Sequence, residues 1–324
     1  MNRKIRIRSE VLPAIVLLLC VRSLSGQTAA SEQLVQASML EKEGKASSSI
    51  PILRSLLNAQ ALDAPSTGKA WNILGLAYQD QGELSQSRRS YEESLRIFKR
   101  LSDETRDYAK ALDDFGGLYL ETGQFEEAKR IKTKALRIYE KVDEHAGITR
   151  VSCDLAAIEF NQKKVASGSK YLKRAVKEAS VADELDDEDR ATIASLRGWE
   201  ALFHRDFTSS VANYKEALDI WRRRHGEEHP YTGWGHLLLG DAEEKAGQLT
   251  PALSEMRQSV AILDRTLGRQ NPRCLLAEIA YSRVLDATGS HSEAARIKAT
   301  AEPLLNDIYR RQCAGWTISV AALH

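Results

Sequence analysis

Small and apolar positions recur along this chain at one interval. The segment Trp71-Asn-Ile-Leu-Gly75-Leu-Ala-Tyr78 returns as Leu112-Asp-Asp-Phe-Gly116-Gly-Leu-Tyr119 and, more weakly, as His236-Leu-Leu-Leu-Gly240-Asp-Ala-Glu243. Taking the small residue as marker gives Ala37, Gly75, Gly116, Ala156, Gly198, Gly240 and Ser282, spaced by 38 to 42 residues. Seven positions on, Gly44, Gly82, Gly123, Lys163, Arg205, Gly247 and Gly289 form a second column, five of the seven being glycine. Glycine there suits a helix that stops in a left-handed turn. Ser49, Ser87, Ala128, Gly168, Ser210, Ala252 and Ala294 form a third column, and Leu56, Ser94, Ala135, Ala175, Ala217, Ser259 and Ala301 a fourth. Small residues at these intervals let two antiparallel helices approach closely. The repeat unit is therefore a helix, a tight turn, a longer helix and a connector. One unit cannot bury its apolar stripe alone, but a stack of them can.

The residues Trp71, Leu74, Gly75, Tyr78, Gly82, Ser87 and Tyr91 resemble the tetratricopeptide (TPR) signature. Gly116, Tyr119, Gly123, Ala128 and Ala135 repeat it. The 42-residue period and the connectors Gly226-Glu-Glu-His229-Pro230 and Gly268-Arg-Gln-Asn271-Pro272 resemble the kinesin-light-chain-like subclass. The resemblance covers roughly residues 31–302 and departs from the pattern at Lys163, Arg205 and Glu159. It implies an all-α superhelical solenoid of about seven antiparallel helix pairs. It also implies a concave groove lined by first helices that takes a peptide or protein. Carried onto this chain, the groove positions are Lys69, Asn72, Lys110, Asp113, Arg150, Cys153, Trp199 and Asp241. Lys69 and Asn72 form one fragment of the carboxylate clamp of some TPR proteins, but Leu76 and Asp113 stand where further asparagines belong. Trp199 and Trp234 read either as groove anchors or as plugs in irregular packing.

The beginning and end of the chain leave this pattern. Arg3, Lys4, Arg6 and Arg8 precede an apolar run from Val11 to Val21, and small residues follow. That order describes a secretory signal peptide over 1–30, cleaved near residue 26 or 30. The run is short for a membrane span, and Leu19 before Cys20 does not suit lipidation. The chain is therefore expected to be exported, to a bacterial periplasm or outside the cell, with a signal anchor as the alternative. In the tail, 303–324, Leu304, Leu305, Ile308 and Tyr309 extend the last helix. Trp316-Thr-Ile318-Ser-Val320 then alternates like a short strand, either capping the solenoid or docking a partner.

Composition adds exclusions. Among 324 residues, Lys+Arg number 46 and Asp+Glu 45, with only 19 Gly and 7 Pro. The first 26 residues hold five bases and one acid, so the remainder has 41 bases against 44 acids, a net charge of −3. This gives no footprint for nucleic acid, even at Arg222-Arg-Arg224, which fits a helix C-terminus. Cys153, Cys274 and Cys313 have no metal or redox spacing and read as small buried residues, Cys313 being the most exposed. His225-Gly-Glu-Glu228-His229 fits an H-x-x-E-H metallopeptidase pattern, but Pro230 and the repeat register place it in a connector. Six acids between Asp183 and Asp189 lack the glycine-bearing loop of a calcium site and read as a helix start. The sequence thus assigns no catalytic residue, metal or cofactor. It reads as a non-catalytic interaction scaffold, with two alternatives. One is a metal-dependent hydrolase using His225, Glu228 and His229; the other is an envelope assembly module docking through its tail.

Overall fold

A computed structural model of the chain describes residues 28–182 and 185–313. The leader up to residue 27, the first two acids of the 183–189 run and the alternating tail segment lie outside them. Seven antiparallel helix pairs follow one another. They are α1 (28–42) with α2 (Ala46–Ala59), α3 (Ala64–Asp80) with α4 (Leu84–Leu101), and α5 (Arg106–Glu121) with α6 (Phe125–Lys141). Then come α7 (His145–Asn161) with α8 (Val165–Ala179), α9 (Asp187–Phe203) with α10 (Phe207–His225), α11 (Pro230–Lys245) with α12 (Leu249–Leu267), and α13 (Pro272–Ala287) with α14 (His291–Gln312). Among the described residues there is no strand, and no helix is long and apolar enough to cross a membrane. The helix extension read in the tail is present, since α14 runs through Pro303 to Gln312.

Each unit folds for local reasons. Helix α3 starts at Asp63, whose carboxylate accepts from the Ser66 amide at 2.8 Å. It stops at Gly82 (φ 74°), where the Glu83 amide reaches back to the Tyr78 carbonyl at 2.8 Å. The same stop recurs in all seven pairs, with positive φ at residues 44, 82, 123, 163, 205, 247 and 289. Lys163 (φ 59°) and Arg205 (φ 58°) therefore keep the turn where the sequence pattern breaks. Close helix approach rests on the small columns. A Cβ on Gly75 would lie 2.7 Å from the Tyr91 ring, and Ser49, Ser87, Ala128, Ser210 and Ala252 are fully buried.

Consecutive first helices pack on one another, α3 on α5, α5 on α7, α7 on α9, α9 on α11 and α11 on α13. Second helices instead pack on their own partner and on the next first helix. The first helices therefore form the inner layer of a superhelix. Its turn is tight enough that repeat six lands on repeat one and repeat seven on repeat two. A Cβ on Gly44 would lie 2.8 Å from Pro230 Cδ, and one on Gly82 would lie 2.7 Å from Pro272 Cδ. Beside each proline a polar side chain bonds the carbonyl two residues before the glycine. His229 Nε2 meets the Lys42 carbonyl at 3.3 Å, and Asn271 Nδ2 donates to the Asp80 carbonyl at 2.6 Å. Thus the two connectors make one latch twice, offset by one repeat. Ser85 Oγ also donates to the Gln312 carbonyl at 2.5 Å. Leu275, Ile279, Leu305, Tyr309 and Cys313 of repeat seven share a continuous core with Tyr91, Phe115 and Tyr119. Cys313, expected to be the most exposed thiol, is instead buried in that seam.

Histidine at the first latch has a titration consequence. His229 Nδ1 accepts from the Tyr231 amide at 3.2 Å and caps α11, so Nε2 carries the proton donated to Lys42. Burial, then the neighbouring His225, lowers the His229 pKa to about 4, against a partial offset from the Lys42 carbonyl. The folded pKa lies below the unfolded value near 6.5. The stability it carries is therefore complete above about pH 6.5 and is lost as pH falls through about 4. The size is on the order of 2–3 kcal/mol. Asn271 performs the same two bonds without titrating, so urea unfolding at pH 7 and pH 4 should show His229→Asn losing less stability on acidification than the wild type. At the turns, left-handed backbone costs a side chain about 1–2 kcal/mol, and glycine returns part of that as entropy. Lys163→Gly and Arg205→Gly should each gain roughly 0.5–1 kcal/mol in urea unfolding, whereas Gly82→Ala, strained and blocked by Pro272, should lose about 2–4 kcal/mol.

Candidate functional site

The inner layer encloses a lumen. Tyr231, in the first turn of α11, keeps 45% of its surface, yet desolvation is the first cause that raises its hydroxyl pKa. A side chain both surrounded by protein and open to solvent faces the inner side of the superhelix. The carboxylates of Asp80, Glu41 and Glu188 act on the same hydroxyl, so α1, α3, α9 and α11 converge there. Arg273 from α13 pins two of the acidic walls, with Nη1 to Asp80 Oδ1 at 2.8 Å and Nε to Glu121 Oε1 at 2.8 Å. Lys110 Nζ and Asn72 Nδ2 both donate to Asp114 Oδ2, at 2.9 and 2.5 Å.

Deeper in the same wall sits a buried ionic network. Lys132 Nζ, only 2% exposed as a residue, donates to Asp113 Oδ1 at 2.6 Å and also to Asp154. Arg150 Nε donates to Asp113 Oδ2 at 3.1 Å, and Arg150 Nη1 lies 3.6 Å from Asp189 Oδ2. Burial alone would raise the Asp113 carboxyl, but Lys132 and Arg150 outweigh it and hold it low. Burial raises Asp154, with Lys132 opposing and Asp113 adding to the rise. Burial likewise raises Asp189, to about 7, against Arg150 and helped by Asp186, Asp113 and Asp154. Three acids face two bases, so the most weakly compensated acid retains a proton near neutrality. Around the lumen as a whole, Glu41, Asp80, Asp113, Asp114, Glu121, Asp154, Glu188 and Asp189 face Lys42, Lys110, Lys132, Arg150 and Arg273.

The residues assigned to the groove divide accordingly. Asp113 and Arg150 meet in the network, while Asn72 and Lys110 meet on Asp114. Lys69 is exposed and pairs with Asp107 at 3.1 Å, so the clamp fragment is spent on carboxylates of the chain itself. Cys153 is buried in the core below. Half-buried Trp199 packs against Phe160 and Phe203, with centroids at 5.7 and 6.4 Å, and Trp234 is likewise half-buried against the core. Asp241 sits further along, bonded to Lys245 at 2.7 Å and to Arg283 at 2.6 Å. Lys132 is the residue the motifs missed. It stands 16 residues after its marker, where repeats one, two, four, five and six carry buried Leu53, Tyr91, Leu172, Tyr214 and Met256 and the last repeat carries an exposed lysine, Lys298. A charge in a core column was the available signal.

The H-x-x-E-H residues are engaged otherwise. The His225 and His229 rings stack face to face, with centroids 4.1 Å apart, and His229 spends both nitrogens on the latch. Glu228 turns outward to Arg265 at 2.7 and 2.8 Å. Among the described residues no cluster of three or more His, Cys, Asp or Glu side chains has metal-binding geometry. Of the acidic run, Asp186 caps α9 through the Asp189 amide at 2.8 Å. Burial pushes the Cys274 and Cys313 thiols up to about 12, away from thiolate chemistry.

Comparison with known proteins agrees with this architecture. The tetratricopeptide repeat family model matches residues 66–141 and 202–265. Seven stacked pairs with a common turn carry the same unit through the described chain. The fold is a tetratricopeptide-repeat solenoid. No match to a curated protein sequence is significant. Among solved structures, the Rap protein complexed with Competence and Sporulation Factor aligns with a TM-score of 0.59 at 13% identity, covering 88% of this chain and 99% of that one. The apo form of RapI aligns at 0.58 and 11%, covering 89% and 99%. BtubC (BKLC) from P. vanneervenii aligns at 0.51 and 17%, covering 69% and 92%. These likenesses show the fold.

Removing Lys132 takes a cation from buried Asp113 and leaves half-buried Asp154 with none. Lys132→Met should therefore cost about 3–5 kcal/mol in urea unfolding. Adding Asp154→Asn should recover most of that loss, because Asp113 keeps Arg150.

Proposed function

We propose that this chain is an exported, non-catalytic scaffold that holds a peptide or protein partner in its lumen. The observation that carries the reading is convergence: the first helices of successive repeats bring charged side chains to the inner side of the superhelix. Stacked pairs present that surface in a fixed shape, so little ordering is needed on binding. The Rap protein of the same architecture was solved with Competence and Sporulation Factor, which supports a partner-holding role for such a fold. Export rests on the basic start and apolar run of the leader. Cleavage near residue 26 suits the fold better than cleavage at 30, since α1 begins by residue 28 and Ala30 is buried.

Affinity capture from the source cell tests the reading. Bait proteins are the wild type, Arg150→Ala on the lumen wall and Arg137→Ala on the exposed face of α6. One partner retained by the wild type and Arg137→Ala, and depleted tenfold or so with Arg150→Ala, is the expected result. Equal retention by all three baits would move recognition off the lumen. N-terminal sequencing of the protein from its native location should begin near residue 27; an intact Met1 would overturn the cleaved leader.

A further inference from the structure

We propose that the lumen partner carries a cationic group, an ammonium or guanidinium, that docks where the superhelix closes, between the Glu41 and Glu188 carboxylates and the Tyr231 ring. This rests on the lumen reading above and names the chemistry of its ligand. The pocket is composite, since Glu41 comes from repeat one, Glu188 from repeat five and Tyr231 from repeat six. It exists only because repeat six lands on repeat one.

An acidic wall alone would not define a site; the distribution of partners does. Asp80 and Glu121 are held by Arg273, and Asp114 by Lys110. Glu188 meets His225 Nε2 at 2.9 Å. The Glu41 carboxylate has no hydrogen bond or ion pair among the described residues. A second, independent vacancy lies in the same wall. Asn72, only 5% exposed, gives its amide nitrogen to Asp114, while its Oδ1 accepts nothing. A buried acceptor without a donor is unfavourable, so this part of the wall is left unsatisfied by the chain itself. The third element is aromatic. The Tyr231 ring is held by stacking on Trp221, with centroids 6.2 Å apart, and remains 45% exposed within the lumen. An aromatic face beside carboxylates attracts a cation from both sides.

The electrostatics give the proposal its own signature. Burial first, then Asp80 and Asp114, push Glu41 up to about 8, against Lys110 and Lys42. Unliganded, its carboxyl keeps a proton at pH 7. A cation seated beside it favours the carboxylate, so binding expels that proton to solvent.

The test uses the full chain and blocked pentapeptides, acetyl-Gly-Gly-X-Gly-Gly-amide, with X lysine, arginine, norleucine or glutamate. Unblocked pentaglycine amide supplies a terminal ammonium. Calorimetry at pH 7 in buffers of different ionisation enthalpy counts the protons released. The lysine or arginine peptide, or the terminal ammonium, should bind with close to one proton released, and the comparison among them identifies the source of the cation. Norleucine and glutamate peptides should not bind. Glu41→Gln should weaken binding about tenfold or more and abolish proton release. Tyr231→Leu should weaken binding while release persists, and thermal melting checks that both variants fold. Equal binding of lysine and norleucine peptides, or proton release unchanged in Glu41→Gln, overturns the cation site. So does the absence of binding by every cationic probe up to about 10 mM. If norleucine peptides bind and Arg150→Ala releases them, the lumen reading stands while the cation site falls. Binding unaffected by Glu41→Gln, Tyr231→Leu and Arg150→Ala alike overturns both.

Discussion

The superhelix depends on two contacts of one kind, Pro230 on Gly44 and Pro272 on Gly82. Each asks two things of one residue. The backbone is left-handed, because a helix must stop there, and a proline ring sits where a side chain would be. Glycine meets both demands at once. The proline in turn opens its own helix and brings no amide that would need a partner. The residue before it, His229 or Asn271, caps that helix with one atom and holds the opposing carbonyl with another. A single dipeptide thus starts a helix and fixes the pitch of the whole array. The enclosed lumen follows from that pitch.

The lumen wall uses charge where a repeat protein ordinarily uses aliphatic packing. Lys132 lays its stem against Gly116, in the register in which Tyr91 covers Gly75, and delivers its ammonium to Asp113 and Asp154. Desolvating these groups is expensive, and apolar residues of similar volume would often be as stable. What the network adds is direction. Arg150 and Lys132 tie α5, α6, α7 and α9 through bonds of fixed geometry. The fourth and fifth repeats are where the turn column lacks glycine, and in the fourth Glu159 replaces an aromatic. There Glu159 is itself buried and paired with Lys129 at 2.5 Å. The repeats that depart most in sequence are therefore joined by ion pairs.

Much of this fold is legible in the chain because it is local. The turn column predicts seven stops, and all seven have left-handed backbone, including Lys163 and Arg205. The small columns mark where helices touch, since packing at close approach excludes volume whatever the surrounding residues are. Two features escape such a reading. The latch joins residues 186 and 190 positions apart, and no local periodicity reports which turn a connector will meet five repeats earlier. The ionic wall was half visible. Asp113 and Arg150 were assigned to the groove, but their shared cation, Lys132, lies on a second helix, outside the face that groove geometry selects.

The closed winding also changes how such a protein comes apart. An open stack interacts only with its nearest neighbours, so its ends can fray while the middle persists. Here the first two described repeats are bound to the last two. Sequence separation between contacting residues rises accordingly, and folding must wait for late, long-range encounters after the individual pairs have formed. Loss of either end exposes the seam of the opposite end. The winding gives the chain the mechanics of a ring, whose inner face is reached along the axis or by parting the two latches.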